Sequence, residues 1–342
     1  MKNLEQQGEA ARRAARVMMT ASTGQKNEAL AGMAQALLDG CADILAANRE
    51  DLEAARQGGM SEAMLDRLAL SEKRVQDMAE GIRQVQALPD PVGEIVEGSV
   101  RPNGLQVQKV RVPLGVIGMI YEARPNVTSD AAALCLKAGN VVILRGGKEA
   151  IRSNTAIVSA LSRGLEKAGL PAECVQMVGD TSRESATAMM RMSGVLDVLI
   201  PRGGAGLIKS VVENSRVPVI ETGAGVCHTY FSADGDVKKG AAVIFNAKTR
   251  RVSVCNALDC LIVHSSRLAD LPALCAPLAK KNVQLQADPR AYMALEGKYP
   301  KDLLVAADEH SFGTEFQDYI LAVKTVDSLE EALDHIAKYS SG

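Results

Sequence analysis

Residues 116–145 read VIGMIYEARPNVTSDAAALCLKAGNVVILR, and this stretch decides the fold class. Two short apolar runs, VIGMIY at 116–121 and VVILR at 141–145, flank a segment of helical character at 128–138. Strands that are apolar throughout and alternate with helices are typical of a parallel sheet that is buried on both faces. The sequence therefore predicts an α/β fold.

The same alternation continues on the C-terminal side of this stretch, whereas the N-terminal side is predicted to be helical. Downstream, further strands are predicted at 175–178, 195–200 and 217–221, separated by helices at 152–168, 181–192 and 204–215. Upstream, the first ninety residues are rich in Ala, Leu and Met. Their helical spacing places one apolar stripe on Leu30, Met33, Ala34, Leu37 and Leu38. A second, smaller α/β unit is predicted to begin near residue 226.

Residues 95–112, IVEGSVRPNGLQVQKVRV, alternate apolar and polar side chains around Asn103-Gly104. This pattern predicts a β-hairpin with a type I′ turn, because both central positions of that turn need positive φ. A two-stranded hairpin is marginal by itself and needs another surface. We expect the hairpin to project and contact another subunit; packing within its own chain is the alternative.

Composition excludes several classes of protein. The net charge of −2 and the 3% aromatic content, without Trp, argue against a nucleic-acid-binding protein. No stretch of eighteen apolar residues occurs, so we expect no membrane span. The N-terminus lacks an apolar signal core, which favours a cytoplasmic location.

Cysteine and histidine usage points to thiol chemistry without a metal. Seven cysteines form no C-x-x-C pair, as is typical of a reducing compartment. The four histidines, at 228, 264, 310 and 335, show no metal-ligand spacing. We therefore expect no metal site.

The segment 246–261, NAKTRRVSVCNALDCL, contains a candidate nucleophile at Cys255. A thiol reacts as its thiolate, and neighbouring positive charge lowers the cost of forming that anion. Lys248, Arg250 and Arg251 could supply this field if the backbone folds them toward the sulfur. The alternative is that Cys255 is a small buried packing residue, which is common for free cysteines.

Three glycine-rich loops follow predicted strands: RGGK at 145–148, PRGGAG at 201–206 and ETGAG at 221–225. Backbone amides in the second loop, which contains Gly203, Gly204 and Gly206, are natural donors to a phosphate at a helix N-terminus. Arg145 and Lys148 could pair with the adenosine end of a nucleotide and would suit the 2′-phosphate of NADP. Simple turns and solvated surface charges are the alternatives.

Asn126 follows Pro125 directly before a predicted helix. A carboxamide held rigidly at a helix entrance is suited to stabilise an oxyanion. From spacing alone, a plain helix-capping Asn explains the residue as well.

Four segments in order resemble the gamma-glutamyl phosphate reductase family of the aldehyde dehydrogenase superfamily. They are RVPLGVIGMIYEARPNVT at 111–128, VVILRGGKEAIRSN at 141–154, LIPRGGAGL at 199–207 and NAKTRRVSVCNA at 246–257. The resemblance runs essentially end to end. It implies an aldehyde-dehydrogenase-like fold with a Rossmann-type cofactor domain, a second α/β catalytic domain and a projecting β-hairpin.

The resemblance also implies domain roles. Residues 1–94 and 113–225 would form the dinucleotide-binding domain, 95–112 the oligomerisation hairpin, and 226–342 the catalytic domain. Family members extend several dozen residues further, so we expect the catalytic domain to be incomplete and the chain truncated.

The implied reaction is the NADPH-dependent reduction of L-glutamyl 5-phosphate to L-glutamate 5-semialdehyde, the second step of proline biosynthesis. Cys255 would be the nucleophile and Asn126 the oxyanion donor. The cofactor would lie against Arg145, Lys148, Gly203, Gly204 and Gly206, and Lys248, Arg250 or Arg251 would bind a substrate anion. Glu221 matches the superfamily's general-base position, which this reaction does not need.

Partners and alternatives follow from the same reasoning. We expect a homo-oligomer that handles a small-molecule substrate, in functional association with glutamate 5-kinase. One alternative is an NAD(P)-dependent dehydrogenase that oxidises a different aldehyde. Another is a non-catalytic nucleotide-binding assembly subunit.

Overall fold

The computed structural model describes residues 3–122, 124–221 and 225–340. The chain folds as two compact units, unit 1 with residues 1–222 and unit 2 with residues 223–342, and each is described by itself. The cofactor-binding and catalytic roles of the predicted domains stay predictions at this point.

Helices open unit 1. In the described residues they are α1 (Leu4–Met18), α2 (Thr23–Asp39), α3 (Cys41–Gln57), α4 (Glu62–Leu68) and α5 (Glu72–Ala87). Side chains of Asn3, Ser22 and Ser71 accept hydrogen bonds from first-turn amides of α1, α2 and α5, which satisfies donors that lack a partner within the helix. The predicted stripe is buried at Leu30, Met33, Ala34 and Leu37. Among the described residues no single helix is long and apolar enough to cross a membrane, although the bent pair α2–α3 meets that test jointly by length and composition.

A hairpin follows, formed by antiparallel strands β1 (Ile95–Val100) and β2 (Gln106–Val110). The predicted type I′ turn is wrong. Gly104 has a φ of 85°, but Asn103 does not have a positive φ, and the amide of Gly104 donates to the carbonyl of Arg101. Pro102, whose ring fixes a negative φ, instead favours an ordinary turn that ends at the glycine. Every residue of both strands is exposed, so the hairpin does not pack into its own chain.

The core of unit 1 is a four-stranded sheet of order β5-β4-β3-β6, with every neighbouring pair parallel in the described residues. Its elements in chain order are β3 (Val116–Tyr121), α6 (Asn126–Lys137), β4 (Val141–Arg145), α7 (Ile151–Lys167), β5 (Val175–Met177), α8 (Arg183–Met190), β6 (Val198–Arg202) and α9 (Ala205–Asn214). The chain runs from β3 to β5 on one side and then returns to place β6 on the other. Ligands bind at such a switch point, outside the carboxyl ends of the two strands.

Two sequence predictions in unit 1 differ from the structure. The strand predicted at 195–200 begins three residues later, as β6. The strand predicted at 217–221 is wrong, because the segment forms a single bridge between Val219 and Leu199. Pro218 lacks an amide proton, so it accepts a hydrogen bond from Leu199 but cannot extend the ladder as a donor.

Unit 2 contains a five-stranded sheet of order β10-β9-β11-β8-β7, again parallel throughout its described pairs. Its elements are β7 (Cys227–Phe231), α10 (Val237–Thr249), β8 (Leu258–His264), α11 (Leu271–Ala279), β9 (Gln284–Ala287), α12 (Pro289–Leu295), β10 (Leu304–Ala306), β11 (Ile320–Val326) and α13 (Leu329–Tyr339). Strand β8 is buried except at its last residue, as expected for an apolar strand covered on both faces. The turn that precedes β8 contains Cys255.

Candidate active site

Cys255 is the exposed cysteine among those the structure describes. It lies in the irregular segment between α10 and β8. The alternative of a packed core thiol instead fits four other cysteines, which are buried: Cys135, Cys174, Cys260 and Cys275. Exposure of the sulfur is a requirement for a nucleophile, and Cys255 meets it.

Two contacts at the carbonyl oxygen hold the backbone of Cys255 in place. Its carbonyl oxygen accepts a hydrogen bond from Cys227 Sγ at 3.3 Å. The chain at Gly225 passes so close that an added Cβ would lie 2.4 Å from the same oxygen, so only glycine fits. Both contacts are made at the main-chain carbonyl of Cys255, and neither uses its sulfur atom.

A buried ion pair joins α10 to β8, the two elements that flank this segment. Lys248 Nζ lies 3.7 Å from Asp259 Oδ1, and the two side chains are 0% and 2% exposed. Asp259 accepts hydrogen bonds from the amides of Phe316, at 3.2 Å, and Cys227. Burial raises the pKa of Asp259 to about 6, although Lys248 and both amides oppose the shift. Burial likewise lowers the pKa of Lys248.

The position of Lys248 departs from the predicted contact with a substrate anion. Its ammonium is enclosed and faces Asp259, with no hydrogen-bond partner among the described residues. A run of basic residues in a sequence does not distinguish the cation that turns inward from those that face solvent. Lys248 therefore supports the Cys255 segment indirectly, through Asp259 and Cys227.

Arg250 and Arg251 are exposed and border a cavity of about 190 Å³. Asn246 and Asn256, which directly follows Cys255, also line it. Guanidinium and carboxamide groups around one small cavity are suited to a carboxylate or phosphate. Unit 2 thus brings two of the predicted anion-binding residues together beside the cysteine segment.

Asn126 is exposed at the start of α6, just beyond the carboxyl end of β3. The alternative of a capping Asn is not what the structure shows, because Pro125 occupies the cap position and no side chain caps this helix. The Asn126 carboxamide instead donates to Asp130 Oδ2 at 3.0 Å, one turn later. This bond orients an amide donor that remains open to solvent.

The glycine loop between β6 and α9 already binds an anionic group. The amide of Gly204 donates to Glu122 Oε2 at 2.9 Å, and Glu122 follows β3 at the switch point of the sheet. Gly206 faces open space. The loop therefore presents amide donors at a helix N-terminus, as a phosphate site needs, but a carboxylate of the same chain occupies one of them.

The two basic residues at the end of β4 have different environments. Arg145 donates to the carbonyls of Thr181 and Ser182 at 2.7 and 2.9 Å, and its half-buried guanidinium fixes the loop before α8. Lys148 is exposed. Of the two, Lys148 is thus the cation that is open to a ligand.

Sequence reasoning missed Asp259, Cys227 and Glu122. A lone carboxylate in the apolar run LDCLIVH was a usable signal for Asp259, because a buried acid needs partners. Glu122 and Cys227 carried no such signal, since their roles arise from residues 82 and 28 positions away.

Comparison with known proteins identifies the family of the chain. The model of the aldehyde dehydrogenase family matches residues 2–293. The chain belongs to the aldehyde dehydrogenase family. The gamma-glutamyl phosphate reductase of Heliobacterium modesticaldum is 53% identical over 340 residues, which cover 99% of this chain and 80% of the relative.

Solved structures agree with this family membership. The crystal structure of gamma-glutamyl phosphate reductase from Thermotoga maritima matches with a TM-score of 0.89 and 40% identity, over 99% of this chain and 81% of that one. An engineered glycolyl-CoA reductase with bound NADP+ matches with a TM-score of 0.69 over 99% of this chain and 80% of that one, and at 18% identity it shows the fold alone.

These comparisons confirm three predictions. The α/β fold is that of aldehyde dehydrogenases, the resemblance to gamma-glutamyl phosphate reductases holds over almost the whole chain, and the chain is an oxidoreductase of this family. The roles of individual residues and the choice of cofactor stay predictions.

Proposed function

We propose that this protein reduces L-glutamyl 5-phosphate to L-glutamate 5-semialdehyde through a thioester on Cys255, in the second step of proline biosynthesis. The observation that carries the proposal is that Cys255 is exposed beside the cavity lined by Arg250 and Arg251, while a hydrogen bond from Cys227 holds its backbone in place. The names of the aldehyde dehydrogenase family relatives support the substrate.

The chemistry begins at the sulfur. The Cys255 thiolate attacks the acyl carbon of the substrate, and the carbonyl π electrons move to oxygen. The Asn126 carboxamide and the Cys255 amide donate to this oxyanion; loss of one such donor raises the barrier by about 3–4 kcal/mol. Collapse expels inorganic phosphate with the electrons of the broken C–O bond and leaves a thioester.

The second half-reaction restores the cysteine. NADPH, when bound, supplies the hydride that reduces the thioester to a thiohemiacetal. The same oxyanion donors stabilise the alkoxide that results. Its collapse breaks the C–S bond, releases the aldehyde and returns the thiolate of Cys255. No water takes part as a nucleophile, so the exposed Glu221 is not needed as a base.

The substrate anions would contact the cavity of unit 2. Arg250 and Arg251 are the predicted cations that remain at the surface, and a guanidinium can hold a carboxylate or phosphate through two hydrogen bonds. Lys248 acts indirectly in this proposal. With Asp259 it supports Cys227, whose thiol donates to the carbonyl of Cys255.

Deletion of the thiol is the direct test. Cys255→Ala should abolish the glutamyl-phosphate-dependent oxidation of NADPH, because no thioester forms, while NADPH affinity is retained. Cys41→Ala, at a half-buried cysteine of α3, is the matched control and should keep full activity. Retained turnover in Cys255→Ala would remove the thioester route. Reduction of NAD with simple aldehydes but no reaction with glutamyl phosphate would favour the alternative dehydrogenase.

For the cofactor we propose NADPH, held by Lys148 and by the amides of the loop that contains Gly203, Gly204 and Gly206. The loop fits an anionic group, since Gly204 already donates to one. The NADP+ bound to the engineered glycolyl-CoA reductase supports this choice within the fold. Arg145 contributes by holding the neighbouring loop at Thr181 and Ser182.

Glu122 provides a test of this cofactor site. If a phosphate displaces the carboxylate from Gly204, then Glu122→Gln should tighten NADPH binding by about 2–5-fold, because the competing anion is removed at a helix N-terminus. Calorimetric titration measures the effect, and Glu166→Gln, at an exposed position of α7, is the control for general surface charge. Unchanged or weaker binding in Glu122→Gln would place the phosphates elsewhere.

Assembly and location complete the proposal. The exposed hairpin β1–β2 presents apolar side chains such as Val100, 69% exposed, as expected for a subunit contact of a homo-oligomer. We place the protein in the cytoplasm. We also propose a functional association with glutamate 5-kinase, because an acyl phosphate is reactive and an enzyme that consumes it nearby protects it from hydrolysis.

A further inference from the structure

Three potential metal ligands converge on one face of the sheet in unit 2. His228 on β7 and Cys260 on β8 are register partners in neighbouring parallel strands, so their side chains leave the same face of the sheet. His335 of α13 reaches the same place, with its Nε2 atom 3.7 Å from Cys260 Sγ. The ligand atoms of all three residues lie within 4.8 Å of one another.

The hydrogen bonding of His228 prepares one nitrogen for coordination. Its Nδ1 atom lies 2.9 Å from the carbonyl oxygen of Val226, and because a carbonyl only accepts, Nδ1 must carry the proton. Nε2 then holds a lone pair. That atom is buried and has no hydrogen-bond partner among the described residues. A histidine whose second ring nitrogen donates to a backbone carbonyl is the usual form of a metal-ligating imidazole.

Aromatic packing explains only part of this cluster. The His335 ring packs against Phe312 and Tyr339, with centroid separations of 5.2 and 4.6 Å, and this accounts for its burial. It does not account for the unpaired lone pair of His228, because a buried acceptor without a donor is unfavourable. A cation at this point would satisfy that lone pair, the second imidazole and the thiolate together.

The donor set and spacing suit zinc. Zn²⁺ binds Cys sulfur at about 2.3 Å and His nitrogen at about 2.0 Å in tetrahedral geometry, which separates sulfur from nitrogen by about 3.5 Å. The Cys260–His335 distance of 3.7 Å is already close to this value. The ligand atom of His228 lies within 4.8 Å of both of these atoms, so the third donor is already beside them.

We propose that His228, Cys260 and His335 form a binding site for a zinc-type divalent cation, with the fourth position taken by water. Binding forms a metal–sulfur bond, and the thiol proton leaves to solvent. The ion would join β7, β8 and α13, and so fasten the last described helix to the sheet. This site is separate from the proposed chemistry at Cys255 and differs from the sequence-based expectation of no metal site.

Cobalt(II) is the appropriate spectroscopic ion, because its thiolate charge-transfer band and strong visible bands report a four-coordinate site that contains sulfur. One equivalent of Co²⁺ added to the full chain should produce both, and Zn²⁺ should remove them. His228→Phe retains the aromatic packing but lacks the ligand nitrogen, and it should lose the visible bands. Cys260→Ala should lose the charge-transfer band.

Controls separate this site from other thiols. Cys275→Ala removes a buried cysteine of the same unit, and Cys255→Ala removes the exposed one; both should keep the bands. Zn²⁺ should also raise the thermal midpoint of the parent chain but not that of His228→Phe. Bands that persist in His228→Phe and Cys260→Ala, bands that vanish in Cys255→Ala, or no stoichiometric binding would each overturn the proposal.

Discussion

Each unit of the molecule contains a buried lysine–aspartate pair, and the two pairs differ in geometry. In unit 1, Lys26 Nζ lies 2.7 Å from Asp90 Oδ2 and also donates to Oδ1 at 2.8 Å. In unit 2, the closest approach of Lys248 to Asp259 is 3.7 Å. Both lysines are almost fully buried, at 1% and 0% exposure.

The surroundings explain the difference. The carboxylate of Asp90 also accepts from Thr23 Oγ1 and from the amide of Val92, so it joins α2 to the chain just after α5. Asp259 accepts instead from the amides of Phe316 and Cys227, and the Cys227 thiol in turn donates to the carbonyl of Cys255. A buried pair with imperfect geometry contributes little to stability, because the desolvation cost exceeds the attraction. We infer that the first pair stabilises its unit and the second positions a reactive segment.

Matched removal of the two lysines should give the largest contrast. Lys26→Met breaks a close pair and leaves a buried carboxylate, which typically costs about 3–5 kcal/mol of unfolding free energy. Lys248→Met also leaves a buried carboxylate, but Asp259, whose pKa burial already raises to about 6, can take up a proton when its partner is lost. The cost should therefore be smaller, about 1 kcal/mol. Hydrogen exchange of peptides from β3 and β8 reports each unit separately. Equal losses in the two variants would contradict the comparison.

Asp259→Asn should act on catalysis more than on stability. The change weakens the support of Cys227 and hence of the Cys255 carbonyl, and a small displacement of a nucleophile can lower a rate about 100-fold. We expect kcat to fall by roughly that factor while KM changes little, because Asp259 is not among the described residues that line the arginine-containing cavity.

The control is another buried carboxylate of the same unit. Asp288 joins α12 to β11 through the amides of Ala291 and Thr325, at 2.8 and 2.6 Å. Asp288→Asn should therefore lower stability but leave kcat nearly intact in the folded protein. If Asp288→Asn reduced kcat as much as Asp259→Asn, the effect would be general loosening of unit 2.

Much of the secondary structure could be predicted from the sequence. The parallel sheet and the buried stripe of α2 follow from hydrophobic period, which depends on neighbouring residues alone. The turn at Pro102 and the single bridge at Val219 were missed because one proline overrode the surrounding pattern.

The candidate site was predictable in part. Cys255 and the surface arginines could be selected from residue type and charge. The inward turn of Lys248 and the bond between Gly204 and Glu122 could not, because both depend on tertiary partners distant in sequence. Its position at the start of a helix identified Asn126 as a candidate oxyanion donor, but the hydrogen bond from its carboxamide to Asp130 is visible only in the structure.

The pH dependence of unit 1 gives a small expected effect whose sign is definite. Burial of Asp90 favours its neutral form, but the hydrogen bonds from Lys26, Thr23 and Val92 outweigh burial and hold its pKa below the ordinary value. The folded state then binds this proton more weakly than the unfolded state, so the stabilisation is present above about pH 4 and is lost as the pH falls through the lower folded value. Asp90→Asn should cost about 1–2 kcal/mol at pH 7, and this difference from the parent chain should shrink toward pH 3. Urea midpoints at the two pH values measure it, and a difference that stayed constant with pH would mean that the charge of Asp90 does not stabilise unit 1.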